Sequence, residues 1–228
     1  MLYIPMFKSL YFQDFAGWVM EELGFLHDHV VVLMSTVLVL VLMVMVMVFF
    51  TKGLDIGLVQ NHSLEFIWSV MPAVVLVMIA VPSLRVLYLM DEVEWPSMTV
   101  KVVGQQWFWR YEYTDFKDLE FDSYMLPETE SDFRLLDVDN RVILPYKMAV
   151  RMLITSYDVI HSWALPSIGV KVDAVPGRLN SVCVHFARIG VFFGQCSEIC
   201  GANHSFMPIV IEVVHLRNLY DWMGWHCE

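Results

Sequence analysis

Two long apolar runs occupy the first part of the chain, and shorter alternating runs fill the rest. Residues 30–50 carry no charged side chain, and a helix of these 21 residues, at about 1.5 Å rise per residue, spans about 30 Å, the thickness of one bilayer core. A second apolar run at 66–90 is interrupted by Pro72, Pro82 and Arg85. Spanning helices tolerate proline where neighbouring groups satisfy the freed carbonyl. The pattern predicts two transmembrane helices that return the chain to its starting side.

A β-rich region follows an acidic hinge at 91–96. Its short runs are rich in Val, Ile and aromatic residues and are separated by Gly, Pro, Asp and Asn; they cover 99–103, 107–113, 141–144, 148–155, 181–186, 190–194 and 208–214. No helical period of comparable length intervenes before Leu216. This spacing predicts a membrane-anchored all-β protein with a sandwich or small barrel. The predicted organisation is an interfacial segment at 1–29, a two-helix hairpin at 30–90 and a β domain at 91–228.

Composition and charge agree with this division. The 228 residues are 57% hydrophobic, which is too apolar for an ordinary soluble domain, and the formal net charge is −11. An acidic surface disfavours nucleic acid and anionic lipid, and it attracts a basic partner by long-range steering. The first 29 residues contain acidic side chains rather than a signal peptide pattern, so we expect the first span to remain in the membrane.

One segment concentrates metal-binding side chains. Between Gly194 and Pro208 lie Cys196, Cys200 and a histidine–thioether pair, His204 and Met207. Thiolate, imidazole and thioether together favour a copper electron-transfer site. Zinc is the ordinary alternative for Cys and His clusters, but it would leave the methionine unused. A single blue-copper ion would leave one thiolate unused, whereas two thiolates can bridge two copper ions. The pattern therefore favours a two-copper site.

A two-copper site needs a second imidazole, for which His161 and His185 are the candidates. His185 lies within the alternating run 181–186. His161 follows one predicted strand and precedes Pro166, which predicts a loop position. Loops at one end of a sandwich can gather distant ligands, so we expect His161 to complete the site.

The sequence resembles subunit II of the haem–copper cytochrome c oxidases, and most of all the mitochondrial form. The resemblance runs nearly from end to end, and it is densest at 104–113, 135–141, 158–166, 173–180 and 194–208. The last of these runs is the most specific. The resemblance implies a cupredoxin-type sandwich with a mixed-valence dinuclear CuA centre.

The resemblance also implies a role for each ligand. Cys196 and Cys200 would bridge the two coppers, His161 and His204 would each bind one, and the weak axial ligands would be Met207 and the backbone carbonyl of Glu198. The Glu198 side chain would bind magnesium at the border with subunit I, and a carboxylate is a suitable hard ligand for that ion. From physics alone, the preferred interpretation of Glu198 is a solvated loop carboxylate.

Electron input and proton uptake are further implications of the resemblance. Trp107 would receive electrons from cytochrome c, although aromatic runs of this kind are more often core strands. Acidic residues around Trp107 would dock the lysine-rich edge of cytochrome c and raise the encounter rate; they are Glu112, Asp115, Asp118, Asp122, Asp139 and Asp158. Glu65 would lie at the mouth of a proton path into subunit I, or it is simply a first-turn carboxylate favoured by the helix dipole.

The implied function is that of the electron-input subunit of a proton-pumping oxidase. It would pass electrons to the haems of subunit I, where oxygen is reduced to water. It would lie in the mitochondrial inner membrane with the N-terminus and copper domain in the intermembrane space. The alternatives are a quinol oxidase subunit, a membrane-tethered copper-binding or copper-donor protein without an oxidase partner, and a structural subunit with a Cys196–Cys200 disulfide. The intact ligand set argues against the first of these alternatives.

Overall fold

The computed structural model describes residues 10–53, 57, 59–91, 95–116, 119–131 and 133–226. The chain divides into two compact units, Glu22–Glu92 and a second unit that combines Met1–Glu21 with Val93–Glu228. Helix α1 (Trp18–Phe50) begins in the second unit and continues through the first, and helix α2 (His62–Asp91) lies wholly in the first. The first helix thus starts well before the uncharged run at 30–50.

The unit Glu22–Glu92 is an apolar helical hairpin. Both helices are long and apolar enough to cross a membrane, and no residue in the most apolar stretch of either is buried within the protein. The two helices meet through polar groups at few points: Nε2 of His29 lies 3.0 Å from the carbonyl oxygen of Met78, and Arg85 pairs with Glu22 at 3.1 Å. The exposed apolar side chains along these stretches of both helices suit a lipid environment.

The described residues of the β unit form ten strands in three sheets. They are β1 (Met98–Gln105), β2 (Phe108–Tyr113), β3 (Glu120–Ser123), β4 (Val142–Pro145), β5 (Ala149–Ser156), β6 (His161–Leu165), β7 (Val170–Ala174), β8 (Asn180–His185), β9 (Gly190–Gln195) and β10 (Pro208–Val214). One sheet has the order β3-β2-β1-β5-β8, the second β4-β10-β9, and the third is the pair β6-β7. A final helix, α3, covers Leu216–His226.

A single buried cluster joins the sheets. Alternate residues of β1 and β5 point into it, and the inward faces of β4 and β10 supply the other side; its members include Val100, Val102, Met152, Ile154, Leu144, Ile209 and Ile211. Because the side chains of a strand alternate between faces, β1 and β5 present polar positions such as Lys101 and Arg151 outward, whereas β4 is buried at every position. The predicted fold class, two membrane-type helices followed by a β domain, is confirmed.

The sequence pattern missed three strands, β3, β6 and β7. Strand β6 is buried at every position rather than alternating, so its pattern does not indicate a half-exposed strand. The prediction that His161 lies in a loop is wrong. It is the first residue of β6 and pairs with Ala174 of β7. The hairpin β6-β7 therefore holds this histidine on regular backbone.

Candidate metal centre

The segment between β9 and β10 folds back on the end of β6. The backbone amide of Ser197 donates to the carbonyl oxygen of Ser162 at 3.0 Å, and a short 3-10 helix, His204–Phe206, completes the turn. Gly194 has no room for a side chain, since an added Cβ would lie 2.0 Å from the carbonyl oxygen of Ala164. This close approach of β9 to β6 brings the two cysteines beside His161.

Both thiols have imidazole partners. The Sγ atom of Cys196 lies 4.0 Å from Nδ1 of His161, and the Sγ atom of Cys200 lies 3.6 Å from Nδ1 of His204. The two sulfur atoms are 4.0 Å apart, far beyond the ~2.05 Å of a disulfide bond. The ligand atoms of His161, Cys196 and Cys200 all lie within 4.8 Å of one another. The thiols therefore remain reduced and face one another across a small space.

Two weaker donors flank the thiols. The Sδ atom of Met207 lies 3.6 Å from Sγ of Cys200, and the backbone carbonyl oxygen of Glu198 lies 3.4 Å from Sγ of Cys196. The thioether is 1% exposed, and His161 is fully buried. His204 is half-buried. Soft sulfur and imidazole donors fit copper, and the presence of two thiols, two imidazoles and two weak donors fits a pair of ions better than one.

The electrostatics of the cysteine pair are asymmetric. Burial alone would raise the pKa of Cys196, but hydrogen bonds from His161 and from the backbone around Ser162 lower that pKa to about 6. Burial and the negative charge on Cys196 instead raise the pKa of Cys200 to about 12. One thiolate therefore forms readily, and the second proton is held until a cation compensates the added charge.

Two family models match the chain. The one described as cytochrome C oxidase subunit II, periplasmic domain, matches residues 98–214, and the one described as its transmembrane domain matches residues 5–86. The chain belongs to the cytochrome c oxidase subunit II family. It is the electron-input subunit of a haem–copper cytochrome c oxidase, anchored by two membrane helices.

Solved structures agree with this assignment. The chain is similar to the periplasmic domain of subunit II of cytochrome oxidase (CoxB) of Bradyrhizobium japonicum, with 44% identity over 59% of this chain and 96% of that chain and a TM-score of 0.57. It is also similar to a crystal structure of a mixed disulfide intermediate between thioredoxin-like TlpAs and subunit II of cytochrome c oxidase, with 43% identity over 60% and 94% of the two chains and a TM-score of 0.54.

In this subunit II, Trp107 lies in the turn between β1 and β2 and packs on the cysteine loop. Gly201 of that loop has φ +128°, and an added Cβ would lie 2.9 Å from Cζ2 of Trp107 and 3.0 Å from Nε2 of Gln106. Trp109, two residues later, is fully buried and donates from Nε1 to the carbonyl oxygen of Met207 at 3.3 Å. Two indoles of one hairpin thus contact the loop that carries the candidate ligands.

Two of the predicted docking residues of subunit II are held in ion pairs. Glu112 pairs with Lys101 at 2.8 Å, and Asp122 accepts two hydrogen bonds from Arg110, the shorter at 2.6 Å. Asp118 lies outside the described residues. The positive charges of Lys101 and Arg110 reduce the negative field that Glu112 and Asp122 present to solvent.

The remaining predicted docking residues accept backbone hydrogen bonds. Asp115 accepts from the amide of Thr99 at 2.6 Å, and Asp139 accepts from the amide of Tyr124 at 2.8 Å. Both residues are exposed, so their charges face solvent. Asp158 differs, because its carboxylate points towards the candidate metal centre and lies 2.9 Å from Nε2 of His161.

Glu65 lies in the first turn of α2. Asn61 caps this helix by accepting from the amide of Leu64 at 3.0 Å, and the Glu65 carboxylate lies 3.3 Å from Nδ1 of His62. An exposed carboxylate in a first turn interacts favourably with the helix dipole.

Two site residues have no signal in the ligand motif. Gln106 donates from Nε2 to the carbonyl oxygen of Cys200 at 2.7 Å, across 94 residues of sequence. Asp158 reaches His161 from three residues earlier in the chain. The Gln106 contact could not follow from spacing, because it depends on how the β1–β2 turn is placed against the cysteine loop.

Proposed function

We propose that this subunit holds a dinuclear copper centre of the CuA type, accepts electrons from cytochrome c and passes them to the haem groups of subunit I. There the oxidase reduces oxygen to water and pumps protons. The observation that carries the proposal is the convergence of six donor atoms: Nδ1 of His161, Nδ1 of His204, Sγ of Cys196, Sγ of Cys200, Sδ of Met207 and the carbonyl oxygen of Glu198.

The chain's own residues hold these donors rigidly. Cys196, Cys200, His161 and His204 would hold the copper pair, with Met207 and the carbonyl oxygen of Glu198 as weaker donors. Bound there, the copper pair supplies one-electron chemistry with the charge shared over two metals. A rigid, buried ligand set changes little when charge is gained or lost. A copper-donor protein needs accessible ligands, and the full burial of His161 does not suit that alternative.

Glu198 has a second proposed role through its side chain. Glu198 is exposed and lies between the two buried cysteines in the chain, so its carboxylate is available to a neighbouring subunit. Carboxylate oxygen is a preferred ligand for magnesium, which retains several waters and binds few protein groups. We infer that Glu198 contributes this ligand at the border with subunit I.

Electrons are proposed to enter through Trp107 from a basic cytochrome c. The indole packs against Gly201, which lies next to Cys200, so only a short step separates the ring from the cysteine loop. The acidic residues Asp115 and Asp139 supply exposed charge for docking, with Glu112, Asp118, Asp122 and Asp158 as the other members of the predicted face. Proton uptake at Glu65 remains a proposal from the family resemblance.

The proposed location is the mitochondrial inner membrane. Two spans return the chain to one side, which puts the N-terminus and the copper domain together in the intermembrane space. This location follows from the resemblance to the mitochondrial form of subunit II. Fractionation of the native membranes, with protease accessibility of the β domain, tests it directly.

A thioredoxin-like protein is a proposed partner before copper is loaded. The relative described above forms a mixed disulfide with such a protein. If Cys196 and Cys200 become oxidised to a disulfide, a partner thiolate attacks one sulfur, and the second partner thiol then displaces the product. The chain gains two thiols and the partner becomes the disulfide, so electrons balance.

The decisive experiment is electron paramagnetic resonance of the purified oxidase that contains this subunit. We expect one unpaired electron coupled equally to two copper nuclei. Cys196→Ser should remove that signal, and Cys183→Ser, which changes a thiol on β8, should retain it. A lone zinc ion, a Cys196–Cys200 disulfide in the active oxidase or an unchanged spectrum in Cys196→Ser would overturn the proposal.

A further inference from the structure

The carboxylate of Asp158 is used almost entirely inside the protein. Its Oδ1 atom accepts hydrogen bonds from the backbone amide of Val159 at 2.6 Å and from Nε2 of His161 at 2.9 Å. Its Oδ2 atom accepts from the backbone amide of Gln106 at 2.7 Å. The residue is exposed, with 29% of its side-chain surface accessible. Both carboxylate oxygens are nevertheless held by groups of the protein.

Asp158 and Cys196 face different nitrogen atoms of the His161 ring. The Oδ1 atom of Asp158 lies 2.9 Å from Nε2, and Sγ of Cys196 lies 4.0 Å from Nδ1. A carboxylate on one ring nitrogen is the usual partner of a histidine that binds a metal through the other. In this arrangement Nδ1 is the nitrogen that faces the thiols.

The surroundings of the ring leave it one orientation. An added Cβ on Gly104 would lie 2.9 Å from Cδ2 of His161, so the backbone of β1 closes one side of the ring. The indole of Trp109 meets the ring edge-on at 5.9 Å between centroids. Gly104 and Trp109 therefore confine the carbon atoms of the ring, and Asp158 is its hydrogen-bond partner at Nε2.

The same carboxylate also ties the β1–β2 turn to the site. Gln106, whose amide donates to Asp158, directly precedes Trp107 and bonds through its side chain to the carbonyl oxygen of Cys200. Asp158 therefore links the histidine and the turn that carries the proposed electron-input indole. A docking charge would not need either contact.

We infer that Asp158 is a positioning residue of the metal centre, acting through His161, in addition to its proposed place on the docking face. The inference rests on the proposed copper function. Partners of this type orient a ligating histidine and raise its basicity, and their loss typically weakens metal binding by about 10- to 100-fold. The negative carboxylate stabilises the more positive, oxidised state of the metal centre. Its loss should therefore also raise the reduction potential of the centre.

The test compares Asp158→Ala, Asp158→Asn and Asp139→Asn in the purified oxidase. Asp139→Asn removes the same charge from a residue that contacts none of the candidate ligands, and its amide oxygen can still accept from Tyr124. The readouts are copper retained against a competing chelator, the paramagnetic spectrum, the reduction potential without a donor, and the salt dependence of the reaction with cytochrome c.

We expect Asp158→Ala to bind copper at least about 10-fold more weakly, with an altered spectrum and a raised potential. Asp158→Asn should fall between Asp158→Ala and the unchanged protein, because its amide oxygen can still accept from His161 but carries no charge. If Asp158→Ala fails to assemble, the Asp158→Asn variant alone tests the positioning role. Asp139→Asn should change only the salt dependence.

If Asp158→Asn and Asp139→Asn behave alike, with unchanged copper retention, spectrum and potential, the positioning role is overturned and Asp158 is a docking residue. Failure of the proposed function is distinguishable from this result, because the unsubstituted oxidase would then lack the two-copper signal altogether.

Discussion

The side-chain amide of Gln106 donates a hydrogen bond to the backbone carbonyl oxygen of Cys200 at 2.7 Å. This contact fastens the β1–β2 turn to the cysteine loop. Replacing Gln106 by leucine removes the donor and leaves the carbonyl without it, so we expect a loss of about 1 kcal/mol in unfolding free energy. Electron input, measured as the rate of copper reduction by cytochrome c, should slow. The matched control is Gln105→Leu in the neighbouring residue, which pairs with Phe108; equal slowing in both variants would contradict this role.

A substitution at Gly201 tests the contact between Trp107 and the cysteine loop. Its φ of +128° is unfavourable for a side chain, and a Cβ would crowd the indole at 2.9 Å. We expect Gly201→Ala to cost about 1–3 kcal/mol in strain and to shift the copper spectrum as the ring moves.

Gly177→Ala is the control for backbone strain alone. Gly177 has φ +76°, and an added Cβ would meet nothing within 4 Å. This variant should lose about 1–2 kcal/mol, the cost of a left-handed residue with a side chain, and keep the copper spectrum unchanged. Calorimetry and the paramagnetic spectrum of each variant provide the measurements. An unchanged spectrum in Gly201→Ala would show that the indole does not press on the loop.

The comparison of sequence and structure separates local patterns from long-range contacts. The uncharged run at 30–50, the alternation in β1 and β2 and the Val- and Ile-rich run of β10 are local, and they were predicted from the sequence. Strand β6 was missed because His161 and its neighbours are all buried, which leaves no period to detect. The contact of Gln106 with Cys200 joins segments 94 residues apart that the fold brings together, so residue spacing could not indicate it.

Tyr113 provides a test of the core beneath the site. Its hydroxyl donates to the carbonyl oxygen of Ile143 at 2.9 Å and accepts from the amide of the same residue at 3.0 Å, and the side chain is 1% exposed. Tyr113→Phe leaves both backbone groups unpaired, which should destabilise the domain by about 1–3 kcal/mol. Tyr111→Phe is the control, because its hydroxyl receives only a long bond of 3.4 Å from Trp163. Denaturant unfolding of the two variants should rank Tyr113→Phe as the more costly; the reverse order would contradict the bonding scheme.

The same tyrosine predicts an alkaline loss of stability. Burial raises the pKa of Tyr113 in the folded protein, whereas the unfolded chain releases the phenol proton near pH ~10. Its contribution to stability is therefore present below that pH and declines as the pH rises above it. The unfolding free energy of Tyr113→Phe should fall less steeply over this alkaline range.

Trp107→Ala should slow electron input while copper content stays unchanged, because the indole contacts the cysteine loop without offering a ligand. Stopped-flow reduction by cytochrome c measures the rate, and metal analysis measures the copper. Trp225→Ala, which removes an indole that is 84% exposed on α3, should leave both values at those of the unsubstituted protein. Equal rates for the two variants would remove Trp107 from the electron path.

Arg110 provides a test of the docking charges, because it neutralises Asp122 through two hydrogen bonds. Arg110→Gln frees one carboxylate of the predicted face, so association with a basic cytochrome at low ionic strength should become faster, by up to about 10-fold. The advantage should vanish at high salt, since the Debye length falls to about 3 Å at 1 M. Arg134→Gln makes the same change in net charge by releasing Glu128, which is outside the predicted face. If both substitutions accelerate association equally, net charge rather than a localised acidic face governs the encounter.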